Sequence, residues 1–131
     1  SRMADYVIEG SRIGGIPGLY AELNRLFMAG EDWRLGTSLD ALDDLLYGGY
    51  GALAEDHSAR VVWRDSARSR QALGVAETER WLREKLAQPG RFDFDTIQRQ
   101  LDDLRSGTGK TYFDLVIAVF ADHPQVTLDL R

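Results

Sequence analysis

Three carboxylates stand close together in the segment LGTSLDALDDLLYGG, Leu35 to Gly49: Asp40, Asp43 and Asp44. Clustered acids can move protons, hold a metal ion or meet a cationic partner, and geometry decides between these uses. On a helix turning about 100° per residue with Leu39 at zero, Leu42, Leu45 and Leu46 fall at about 300°, 240° and 340°. Asp43, Tyr47, Asp40 and Asp44 fall at about 40°, 80°, 100° and 140°. Leucines thus form one face, and three acids surround a tyrosine on the other. A calcium loop alternates its acids around a central glycine, a pattern missing here. Paired carboxylates for glycoside cleavage face each other across a cleft from separate elements, which one convex face does not provide. Two readings remain: docking into a cationic site, or the plain water-facing side of an amphipathic helix. Asp40 gains from the positive helix N-terminus, whereas Asp44 lies in the half the dipole does not favour. Like-charge pairs with no interleaved lysine cost a few tenths of a kcal/mol each, which argues for a use outside fold stability.

Other chemistry finds less support. SGTGKT, Ser106 to Thr111, resembles a phosphate loop, but Leu104 occupies the position of the required first glycine. The segment is expected to follow a helix and precede a strand, the reverse of that motif, so it reads as a helix cap and turn. Only two histidines exist, His57 and His123, each beside an expected turn. Asp122-His123-Pro124 reads as turn chemistry rather than as part of a converging triad. Arg60, Arg64, Arg68 and Arg70 form a basic run interrupted by Asp65, without an aromatic ladder for nucleic acid. It reads as a solvated face or an internal partner for the acids. With no cysteine in 131 residues there is no thiolate nucleophile, disulfide framework or Cys-ligated zinc, and a reducing cytoplasmic setting is expected. Neither a cofactor nor a metal is expected.

The net charge of −5 is concentrated. Glu31 to Asp56 holds seven acids and one base, while the remainder holds 14 acids and 15 bases. One segment carries the whole excess, a field that attracts a cationic partner and repels nucleic acid. No apolar run approaches a membrane span, and SRMADYVIEG lacks the apolar core of a secretory signal, so no membrane partner is expected. Ser1 and Arg2 read as a scar ahead of a natural start at Met3.

The elements that must position these acids follow from periodicity. DYVIEG, Asp5 to Gly10, is a strand stopped by glycine. Ile16, Leu19, Leu23, Leu26 and Phe27 recur at helical spacing between Pro17 and Gly30. Thr37 or Ser38 caps the acidic helix, which runs to about Tyr47 and ends at the glycines of GGYG. RVVWR, Arg60 to Arg64, is a second strand, and SARSRQAL a short helix. VAETERWLREKLAQ is helical up to Pro89, and FDTIQRQLDDLRSG is helical with Phe94, Ile97, Leu101 and Leu104 as its stripe. The continuous apolar run DLVIAVF, Asp114 to Phe120, is expected to be a strand buried on both faces, and VTLDLR a final edge strand. A single α/β domain follows, with a small, mainly parallel sheet of three to four strands packed with helices.

YVIEG followed by an amphipathic helix, then LGTSLDALDDLLYGG, then VVWRDSARSRQAL resembles the barstar family, cytoplasmic inhibitors of secreted bacterial ribonucleases such as barnase. The likeness spans Tyr6 to about Leu73. From about residue 75 to 110 this chain is extended relative to the family, which has one helix and a terminal strand there. The resemblance implies a barstar-like fold and a function: the second helix and the loop before it plug the ribonuclease active site, with acids standing in for RNA phosphates. Matched by motif, Asp40 and Asp44 are the two helical aspartates, Asp44 the one that penetrates the active site, and Gly48 a helix-end glycine of the interface. Asp43 stands where the family has an aromatic residue, and Arg34, or Trp33 one residue earlier, where it has a tyrosine. The family's further acidic contact falls on Asp102 or Asp103. Desolvated charge pairs of this kind couple by several kcal/mol, a magnitude that belongs to the barnase–barstar complex itself.

The expected function is therefore a non-enzymatic inhibitor or immunity protein that binds a ribonuclease or nuclease toxin, with Asp44 as anchor, Asp40 and Asp43 in electrostatic support, and Tyr47, Trp33 and Gly48 packed around them. The alternatives are a non-inhibitory module holding another basic protein, and an enzyme using the acids in hydrolysis.

Overall fold

The computed structural model describes residues 3–56 and 58–131, so that Ser1, Arg2 and His57 lie outside the described residues. Three strands, β1 (Ala4–Glu9), β2 (Ala59–Arg64) and β3 (Val126–Leu130), form one parallel sheet in the order β1-β2-β3. Two helices, α1 (Ile16–Phe27) and α2 (Leu39–Leu46), connect β1 to β2. Four more, α3 (Ser66–Ala72), α4 (Val75–Leu86), α5 (Phe94–Ser106) and α6 (Tyr112–Ala121), connect β2 to β3.

Right-handed crossovers that step in one direction across a parallel sheet bring their helices to the same face. The register agrees: Tyr6, Val61 and Leu128 are aligned, as are Ile8, Trp63 and Leu130, and Ile8, Val61 and Trp63 are fully buried in the core. On the opposite face Asp5 meets Arg60 at 3.1 Å and Glu9 meets Arg64 at 3.3 Å, a ladder of ion pairs open to water. Arg70 lies 3.9 Å from Asp114 with its guanidinium over the Phe113 ring. The basic run therefore does find internal carboxylates, but on β1 and α6 and not in the acidic segment.

DLVIAVF is helical, which corrects the expected strand. Thr111 accepts a hydrogen bond from the Asp114 amide while Asp114 accepts one from the Thr111 amide, a reciprocal cap that commits the chain to a helix. Tyr112, Phe113, Val116 and Phe120 then share the buried side. Helix α6 reads as continuously apolar because its remaining face carries Leu115, Ile117 and Val119, the last two packed on the core cluster. A one-sided sheet has no place for a strand buried on both faces, so the sheet has three strands. SGTGKT accordingly joins two helices: Gly107, at φ 85°, closes α5, and Thr111 caps α6. No strand feeds it, as a phosphate loop requires.

Helices α4 and α5 pack into a hairpin with its own apolar cluster of Leu82, Ile97, Leu101 and Leu104, and Trp81 borders both this cluster and the main core.

Candidate functional site

Helix α2 is two turns long and would be marginal alone. Its leucine face supplies the stability: Leu42, Leu45 and Leu46 are buried in the main core, with α6 packed against the helix. Of the two possible caps, Ser38 acts, its hydroxyl accepting from the Ala41 amide at 3.0 Å. At the other end Gly48 adopts φ 79°, where a side chain would be strained and a Cβ would come within 3.3 Å of the Leu53 carbonyl.

The flanking loops are fastened from several sides. Asn24 of α1 accepts from the Leu35 amide at 2.7 Å, and Glu31 accepts from the Gly51 amide at 2.7 Å, tying the segment before α2 to the one after it. Arg34 turns inward on its own loop, where Nη1 donates to the carbonyls of Met28, Glu31 and Trp33. Its guanidinium shapes the loop, and Arg34 and Trp33 are both exposed. Trp33 is 43 % exposed and leans on Tyr50 with ring centroids 4.7 Å apart.

The three acids separate into two kinds. Asp40 and Asp44 are exposed, and among the described residues neither is held by a hydrogen bond or ion pair. Burial and, behind it, the Asp44 carboxylate push the Tyr50 hydroxyl above its ordinary value, which places that charge beside the aromatic rim. Asp43 differs. Its Oδ1 lies 2.7 Å from Nε2 of His123, a ring only 3 % exposed on the turn between α6 and β3. Tyr47, 71 % exposed, meets the same ring edge-on at 4.6 Å. Gln125, from the same turn, donates to the Leu46 carbonyl at 2.9 Å.

Asp40 also borders a cleft of about 940 Å³ between the start of α2 and the hairpin, lined by Ser38, Trp81, Lys85, Phe92 and Tyr112. Lys85 stacks over Trp81 at 4.1 Å; burial lowers its pKa, and Asp40 pulls the other way. Glu84 on the far wall is bound to Arg80 at 2.6 Å. Among the described residues no group of three His, Asp or Glu side chains is arranged to hold a metal.

Asp40, Asp44, Gly48, Tyr47 and Trp33 thus converge on one surface around α2. Asp102 and Asp103 do not join them. They lie exposed on α5, which packs on α4, and Asp102 accepts from Gln98 at 3.0 Å. The helix that reaches α2 is α6, and its C-cap, exposed Asp122, adjoins His123. Sequence reasoning missed His123, Asp122 and Tyr50. The bond from His123 to Asp43 spans 80 positions, and no local spacing announces it. No family model matches the chain, and comparison with curated proteins yields no match.

Proposed function

We propose that this chain is a barstar-like protein inhibitor, an immunity protein that binds a bacterial ribonuclease or nuclease toxin in the cytoplasm and blocks its active site. Helix α2 enters the basic site with Asp44 leading and Asp40 beside it, their carboxylates taking the places of RNA phosphates against catalytic cations. Trp33, Tyr47 and Tyr50 form the aromatic rim that excludes water around them, and Gly48 lets the partner's surface approach the helix end. The further acid that the resemblance implies is supplied by Asp122 at the C-cap of α6, in place of Asp102 or Asp103. In this reading the chain itself performs no chemistry.

One observation carries the reading. The arginines of the sheet and of α1 find carboxylates within the fold, while Asp40 and Asp44 stand exposed and unpaired among the described residues, on a helix locked from behind by leucines. Charge held rigidly outward without a partner suits a partner that brings the opposite sign.

The test is co-expression with small basic toxin-like domains encoded beside the gene in its host. A nuclease whose toxicity the chain suppresses supports the reading. With that nuclease in hand, Asp44→Ala is expected to weaken binding by roughly 30-fold or more, since removing one partner of a buried charge pair costs about 2–5 kcal/mol. Binding within about twofold of wild type would defeat the mechanism. Capture of a basic protein without nuclease activity would favour the non-inhibitory module.

A further inference from the structure

We propose that His123 is a positioning residue for the docking face: its hydrogen bond to Asp43 and its edge contact with Tyr47 brace the outer side of α2, leaving Asp40 and Asp44 as the two carboxylates free to meet a partner. The purpose of this brace rests on the inhibitor reading, but its existence is tested on the free protein, so the two fail separately.

The leucines fix α2 from one side, over an arc of about 100°, and leave its outer side free to rock unless another element holds it. Asp43 sits at the seam between the buried and exposed faces, where a contact from a neighbouring element resists such rocking most directly. The turn between α6 and β3 supplies it. His123 is itself fixed by its backbone, its amide donating to the Phe120 carbonyl at 3.0 Å and its carbonyl accepting from the Val126 amide at 2.9 Å. From this anchored position Nε2 reaches Asp43, the ring edge supports Tyr47, and two residues on Gln125 holds the last helical carbonyl. For the ring to donate to Asp43, the nitrogen facing it must carry the proton, which fixes Nε2 as the protonated one. Asp43 thereby changes role. One oxygen is held within the fold, and the residue that breaks the resemblance, an acid in place of an aromatic side chain, acts as a strut and not as a third phosphate mimic.

The test uses the full chain labelled with ¹⁵N. In wild type the imidazole of His123 should show a protonated, hydrogen-bonded Nε2, and the Tyr47 ring protons should show the shift that a neighbouring imidazole imposes. His123→Leu removes the donor and should speed amide exchange in Leu45–Gly48 by about tenfold relative to α1, the scale of one hydrogen bond to a charged group. His123→Gln keeps an N–H donor and should bring exchange back to within about twofold of wild type. Asp43→Asn, a change at a partly exposed site, keeps the fold intact should the histidine variants fail to form it. In that variant the Nε2 and Tyr47 signals should both move. The proposal is overturned if Nε2 is unprotonated in wild type, if Asp43→Asn leaves both signals in place, or if His123→Leu accelerates α1 and α2 alike with no recovery in His123→Gln.

Discussion

Glu22 is a carboxylate inside the core side of α1, where Arg25 approaches Oε2 at 2.7 Å and the Glu9 amide donates to the same oxygen at 2.8 Å. Burial alone would raise its pKa, but the bonds from Arg25 and Glu9, with Arg12 nearby, outweigh burial and hold it below the ordinary value. Depression in the folded state means the stabilisation is present above the unfolded pKa and is lost as pH falls through the folded one. Glu22→Gln should therefore unfold more easily at pH 7, by about 1–3 kcal/mol for a buried charge-assisted bond, with the difference closing below the ordinary value of 4.5. Denaturant titrations at pH 7 and pH 3 measure it. At this scale the sequence was legible where a residue acts through its neighbours, as Ser38 and Gly48 do. It was opaque where a residue acts through tertiary contact, as Glu22, Arg34 and His123 do. Type and position say that a carboxylate or an imidazole is present, and only the fold says what meets it.

Among the elements, α6 shows how local chemistry overrides composition. Its apolar run satisfies a strand and a helix equally well, and the deciding signal lies just upstream, in the reciprocal bonds between Thr111 and Asp114. Thr111→Ala is expected to cost about 1 kcal/mol of stability, and Thr111→Ser only a fraction of that, read as shifts in the urea midpoint. Helices α1, α4 and α5 were legible because each has a half-buried face whose apolar spacing declares its period. Helix α6 lacked that contrast, being covered by the sheet on one side and flanked by other helices on the next. Helix α2 had it in full, leucines inward and acids outward, which is why its acidic face was legible from local spacing alone.

Over the whole molecule, charge is sorted by location. Arginines on the sheet's open face are paired with acids of the neighbouring strand, whereas the excess negative charge projects from α2 and its loops. Such a field acts over a Debye length and mainly on encounter. Association with the proposed nuclease partner should slow by roughly tenfold or more as ionic strength rises from about 0.01 M to about 0.3 M, with dissociation nearly unchanged. Stopped-flow rates over a salt series check this, and a salt-insensitive association rate would remove electrostatics from the mechanism.

The bond between Asp43 and His123 joins the first crossover to the second, 80 positions later. During synthesis, β1 and α1 can collapse together as soon as they leave the ribosome, because their contacts are local, whereas the leucine side of α2 waits for α6. The outer brace cannot close until the turn after α6 has emerged and the long intervening loop has been gathered in, the slow step in a fold of this connectivity. A nascent chain would then carry its acidic helix well before it held that helix steady, and full readiness for a partner would arrive only with the final strand.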